Sequence, residues 1–81
     1  MFQISRFSVD IAKSVFQIYG EDPSRKHRVD KRLRRGQFLA FFARQTACVV
    51  VLEACGSAHY WARELSKLGH QVLLIPPQHV K

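Results

Sequence analysis

Acidic side chains are scarce in this 81-residue chain: six Asp and Glu stand against 13 Lys and Arg, a formal charge of +7. Such a deficit repels cationic partners and draws polyanions, so nucleic acid is the first partner to consider and an anionic membrane surface the second. Cysteine is also scarce. Cys48 and Cys55 are the two present, they do not form a CxxC pair, and two thiols make no disulfide framework. A reducing cytoplasm is the expected setting. Four glycines and three prolines in a chain that is 47% hydrophobic mark a globular sequence, not a disordered one. Long apolar runs are missing as well. The longest, Ala47 to Leu52, falls far short of the roughly 20 residues that cross a bilayer, so no spanning segment is expected, and nucleic acid rather than a membrane is the expected partner. The start, Met1-Phe2-Gln3-Ile4-Ser5-Arg6, lacks the basic segment and apolar run of a signal peptide. The length suits one small domain with a marginal core.

What is present has the patterning of an α/β domain. Phe7 to Ile11 and Ser14 to Tyr19 have the composition of strands, and Phe16 and Ile18 fall on one face by period two. Only Ala12 and Lys13 separate the two segments, which predicts a tight antiparallel hairpin. Gly20 to Ser24 is a turn by composition. His27 to Leu33 predicts a third strand, basic and near a sheet edge, where Lys and Arg discourage stray pairing. Gly36 punctuates, and Gln37 to Gln45 carries Phe38, Phe41 and Phe42 at helical spacing. These aromatics favour a core over a platform for stacking bases. Ala47 to Glu53 has three consecutive valines and no alternation, as in a strand buried on both faces. Ser57 is the expected N-cap of a second helix, whose apolar face is Ala58, Trp61, Ala62, Leu65 and Leu68. Gly69 is its expected stop. Val72 to Ile75 is a last strand, ended by Pro76-Pro77. The order βββαβαβ predicts a mixed sheet with packed helices.

Two acids stand out by position. Asp10 interrupts an otherwise apolar strand, and Glu53 ends another. A carboxylate is costly to desolvate, so it needs a partner, a metal ion or water. If the two strands are neighbours, roughly 4.8 Å apart, both acids reach one hard cation. Mg2+ takes oxygen ligands and keeps several waters, and phosphodiester cleavage uses such ions. The alternative is that each acid stands in water at a strand end or pairs with a base. Lys13 either contacts phosphate or neutralises Asp10. Arg25, Lys26, Arg28, Lys31, Arg32, Arg34 and Arg35 form the one strongly basic stretch and are the candidate nucleic-acid contacts. Cys55 and His59 are too few to make a zinc site, which needs three or four protein ligands.

Three blocks carry a family resemblance. Val9-Asp10-Ile11-Ala12-Lys13-Ser14-Val15-Phe16-Gln17 is similar to the start of the "IS-one-ten" insertion-sequence transposases. Arg32 to Phe42 is similar to their next block, and Glu53-Ala54-Cys55-Gly56-Ser57-Ala58-His59-Tyr60-Trp61-Ala62-Arg63-Glu64-Leu65 to their third, followed by Leu68-Gly69-His70 and Ile75-Pro76-Pro77-Gln78. The first block alone is weak and the third is specific. The resemblance covers nearly the whole chain. It implies a ribonuclease-H-like (RuvC-like) domain with four metal-binding acids, Asp, Glu, Asp and Asp, of which Asp10 matches the first and Glu53 the second. Ser8 stands where the family commonly has glycine. Residues 1–81 then form the N-terminal part of that domain, incomplete, without the family's last two acids and its C-terminal catalytic serine. DNA, a guide (bridge) RNA and a homo-oligomer are the partners this implies, with Mg2+ as cofactor. Two other classes compete: a non-catalytic basic module that binds RNA or DNA, and an actin-like or sugar-kinase-like ATPase. The second lacks support, because no Gly-rich phosphate loop follows Asp10.

Overall fold

Period-two patterning along the first strand decides the architecture. The computed structural model describes residues 4–12, 14–24 and 26–76. In β1 (Arg6–Ile11) Phe7 and Val9 are buried while Arg6, Ser8 and Asp10 are exposed. In β2 (Val15–Glu21) the buried residues are Phe16, Ile18 and Gly20. The two pair antiparallel, with Ile11 opposite Phe16, as the sequence predicts. The loop takes in Ser14 as well, and the Ala12 N–H donates to the Val15 carbonyl at 3.2 Å. β3 (Arg28–Arg34) adds antiparallel to β2. β4 (Val49–Glu53) and β5 (Gln71–Ile75) follow in parallel, giving a five-stranded mixed sheet in the order β3-β2-β1-β4-β5. β3 is an edge strand, as its charge predicts. The helices are α1 (Arg35–Ala43) and α2 (Ala58–Lys67). Neither is long and apolar enough to cross a membrane.

Both helices cover the same face of the sheet. Phe16 shows this directly: its ring lies 4.6 Å from that of Phe38 in α1 and 5.0 Å from that of Trp61 in α2. Phe7 meets Phe42 at 5.1 Å and Phe41 at 5.7 Å. All these contacts are edge-to-face, the geometry the ring quadrupole favours, each worth about 0.5–1.5 kcal/mol beyond burial. One-sided cover corrects the expectation for β4. Val50 and Leu52 are fully buried, but Val49 and Val51 are only half-buried and Glu53 is exposed. The valine run masks an alternation, because every position in it is apolar whichever face it takes. β5 shows the same effect, with Leu73, Leu74 and Ile75 all 37–40% exposed.

Helix ends differ from the sequence pattern in instructive ways. α1 begins at Arg35 and takes Gly36 into its first turn. There Gln37 Oε1 accepts the Arg34 N–H at 3.0 Å, satisfying a donor that the helix start orphans. Ser57 is the N-cap residue of α2, yet its side chain makes no capping hydrogen bond. Gly69 does stop α2, with φ of 97°, a conformation glycine adopts without steric cost. The Gly69 N–H reaches Ser66 O at 3.0 Å and the His70 N–H reaches Leu65 O at 3.2 Å. This is the paired closure of a Schellman motif. Leu68, the C-cap residue, is 40% exposed and leaves the apolar face.

His70 then enters the core. Its Nδ1 accepts the Cys48 N–H at 3.2 Å, and its Nε2 donates to the Phe42 carbonyl at 2.8 Å. These two partners assign the single ring proton to Nε2. The imidazole thereby joins the end of α1 to the entries of β4 and β5. The Cys48 thiol packs 3.4 Å from Nδ1, and burial pushes its pKa up.

At the β2–β3 turn, Asp22 is the anchor. Its carboxylate accepts from Ser24 Oγ at 2.9 and 3.0 Å, from the His27 N–H at 3.3 Å, and meets His27 Nδ1 at 2.8 Å. Burial pushes the Asp22 pKa up, but the His27 and Ser24 contacts outweigh it and hold the group at about 2.

Two outcomes follow from these contacts. Gly20 has no room for a methyl group: a Cβ there would lie 2.6 Å from the Phe7 ring and 2.7 Å from Ile4 Cγ2. Alanine in a strand is normally better than glycine, so Gly20→Ala should reverse the usual sign and destabilise by about 1–3 kcal/mol through overpacking. Urea unfolding followed by Trp61 fluorescence measures it, and an unchanged or raised midpoint would refute the packing argument. For Asp22, the lowered pKa means that the folded chain binds its proton less readily than the unfolded one. The stabilisation is full above the ordinary value of 3.8 and is lost as pH falls toward about 2. Asp22→Asn should be less stable than the parent at pH 7, and the gap should narrow between those two pH values. A gap that stays constant there would show that Asp22 does not anchor the turn.

Candidate functional site

The helices leave the other face of the sheet uncovered, and that face collects the polar residues of the strands. Register places them in rows. On β1 and β4, Val9 pairs with Leu52, and one position further along each strand come Asp10 and Glu53. Val9 and Leu52 point into the core, so alternation sends both acids to the open face. Each acid stands at the carboxyl end of its strand, and β1 and β4 are adjacent and parallel. Both carboxylates are exposed and line one shallow groove, floored by Ser8, Tyr19, Val51 and Ile75. Among the described residues, neither has a hydrogen-bond or ion-pair partner on the protein, and no group of three or more His, Cys, Asp and Glu gathers as a metal cage.

The row continues across the sheet. Asp10 is opposite Gln17 on β2, and Gln17 is opposite Arg32 on β3. The Gln17 amide donates to Asp30 Oδ1 at 2.6 Å and to the Lys31 carbonyl at 3.3 Å, while its Oε1 accepts from Arg32 Nε at 3.3 Å. A transverse line of Glu53, Asp10, Gln17 and Arg32 therefore runs from two acids to a base across four strands. The sequence analysis did not single out Gln17 or Tyr19, and it marked Ser8 only as standing where the family commonly has glycine. Counting by two along β2 and β1, once their pairing is known, reaches all three.

The basic stretch does not form one patch. Because β3 alternates, Arg28, Arg32 and Arg34 share the open face, whereas Lys31 turns to the helix side with Val29 and Leu33. Lys31 Nζ lies 5.5 Å from the centre of the Phe41 ring, and the Arg35 guanidinium lies 5.6 Å from that of Trp61. These two cations cap core aromatics. Lys26 is exposed in the β2–β3 turn. Lys13 and Arg25 lie outside the described residues. The arrangement thus offers two carboxylates able to ligate a hard cation and, two strands away on the same face, the Arg32 guanidinium in their row, with Arg34 two residues and Arg28 four residues from it along β3, all able to hold phosphate. Cys55 and His59 are both exposed near the start of α2.

No family model matches the chain, and no solved structure matches it. Curated proteins do. It is 51% identical over 78 residues to a Pseudomonas aeruginosa protein named as a probable family 20 transposase, covering 96% of this chain and 23% of that protein. It is 43% identical over 79 residues to a protein of Sinorhizobium fredii named as a transposase, covering 98% of this chain and 20% of the relative. A transposase for an insertion sequence element from Coxiella burnetii is 42% identical over 81 residues, covering all of this chain and 22% of the relative. The chain spans about a fifth to a quarter of the length of these relatives. Along essentially its whole length, this chain is a homologue of a segment of proteins named as transposases.

Proposed function

We propose that the chain forms part of the catalytic domain of an insertion-sequence transposase, a ribonuclease-H-like (RuvC-like) unit of DEDD type, and that its open sheet face handles DNA. The observation that carries this is the transverse row: Asp10 and Glu53 side by side at the ends of parallel strands, with Gln17 and Arg32 completing the line. The strand order supports the fold reading, with β1 central between an antiparallel pair and a parallel pair. The names of the relatives support DNA as the partner.

Two oxygen donors without sulfur or imidazole suit Mg2+, which is hard and retains several waters. Asp10 and Glu53 are the residues that would hold it. When bound, the ion would activate a nucleophile and stabilise a leaving oxygen at phosphorus. The chain's own residues do the rest. Arg28, Arg32 and Arg34 grip backbone phosphates, and the Gln17 amide, fixed by Asp30, orients Arg32 toward the acids. A guide RNA would meet the same cationic side chains through its phosphates. Two acids alone hold Mg2+ weakly, because the ion dehydrates reluctantly. The remaining acids and the catalytic serine implied by the resemblance belong to other parts of a full-length transposase.

Titration of the protein with Mn2+ as a paramagnetic probe should broaden the resonances of residues 8–11 and 51–54, and Asp10→Asn with Glu53→Gln should abolish the effect. Equal broadening in the double variant would remove these acids as ligands. Binding to a labelled DNA duplex should fall steeply with salt and show little sequence preference. Replacing Arg28, Arg32 and Arg34 by Gln should weaken it for all sequences and lower the salt slope by about 3. Replacing Lys31 and Arg35 by Gln should leave the affinity nearly unchanged and lower the thermal midpoint instead. The reverse pattern would place DNA on the helix side.

A further inference from the structure

The two edges of the sheet are built differently. β3 carries Arg28, Asp30, Lys31, Arg32 and Arg34, charges that block the approach of another strand. β5, Gln71–Ile75, carries none. It pairs only with β4 among the described residues, so one row of its backbone N–H and C=O groups is unpaired. Beside that row runs a groove between α2 and β5. Its floor is Ala62, Val72 and Leu74, and its helix wall presents His59, Arg63 and Lys67, spaced by four so that they line one side of α2. Lys67 pairs with Glu64 at 2.9 Å, a surface contact weak enough to exchange. Arg63 has no partner among the described residues.

We propose that β5 is a docking edge that accepts an extended polypeptide strand in which acidic and apolar side chains alternate. An added strand sends every second side chain toward the helices, where it meets Arg63, Lys67 and His59, and the others toward the open face, beside Leu73 and Ile75. Carboxylates suit the first set and aliphatic side chains the second. The rim of cations beside an uncharged edge selects this occupant over two others. A second copy of the chain, paired through β5 about a two-fold axis normal to the sheet, would bring two α2 helices together with like charges facing. Nucleic acid would use the cations, but it cannot reproduce the alternating donors and acceptors of a strand edge. The cationic rim lies on the helix side, at the opposite edge of the sheet from Arg28, Arg32 and Arg34, while Ile75 also floors the groove of Asp10 and Glu53.

The test uses a short fluorescent peptide of alternating Glu and Val, titrated by anisotropy against the 81-residue protein. The Glu–Val peptide should bind, and a Lys–Val peptide should bind about tenfold more weakly or not at all. N-methylation of alternate amides on the Glu–Val peptide should abolish binding, since it removes strand pairing while keeping the charges. Arg63→Glu with Lys67→Glu should weaken binding by about tenfold or more, with circular dichroism showing the fold retained. Three results would overturn the proposal: equal binding of the N-methylated peptide, a single-stranded oligonucleotide that binds through Arg63 and Lys67 while the peptide does not, or a dimer in sedimentation that Leu73→Lys dissociates.

Discussion

Phe7 and Phe16 sit on neighbouring antiparallel strands and both point into a layer of rings supplied by α1 and α2. Everything else about orientation depends on that choice. Once Phe7 is committed to the helix side, period two fixes Ser8 and Asp10 on the other. Once Phe16 is committed, Gln17 and Tyr19 follow. Pairing then carries the same assignment to β3, β4 and β5, so that one aromatic layer determines where two acids and three arginines stand. The layer is well suited to this role. Its rings meet edge to face at 4.6–5.7 Å, and interiors packed at crystal-like density resist a slip of register. A shift by one residue would bury Asp10 and expose Phe7, which costs far more than a small domain can tolerate.

Gly20 shows how close the tolerance is. The backbone of β2 approaches the Phe7 ring so nearly that only a residue without Cβ fits. The sequence places that glycine at a turn by composition, whereas it lies inside the strand, opposite Phe7. The turn begins two residues later, where Asp22 organises Ser24 and His27. Glycine marks both turns and close approaches, and composition does not separate the two.

The element order, the hairpin, the basic edge and the aromatic core were legible from periodicity and residue type. Sidedness was not, wherever a strand lacked polar punctuation. Val49-Val50-Val51 conceals which valine is inward, and β5 conceals it equally. The basic stretch misleads in the opposite way. Seven Lys and Arg between Arg25 and Arg35 look like one patch, but alternation and a helix start send Lys31 and Arg35 against Phe41 and Trp61. The acids were legible as a pair because each interrupts or ends an apolar strand. Gln17, which links them to Arg32, was not, since an amide within a strand carries no signal until its cross-strand neighbours are known.

Of the five strands β1 comes first in sequence order, yet it lies in the middle of the sheet, between β2 and β4. The meander of β1, β2 and β3 is local and can assemble while the chain is still being synthesised. The partner for the other edge of β1 begins at Val49, roughly forty residues after β1 is complete, and at about 5–20 residues per second it arrives about 2–8 s later. During that interval Phe7 and Val9 lie on a strand with one bare margin, and α1, which packs on Phe7, is complete only at Ala43. A neighbouring nascent copy on the same messenger presents an identical bare margin. Pairing of β4 with β1 closes that margin and removes the edge through which two such chains could meet.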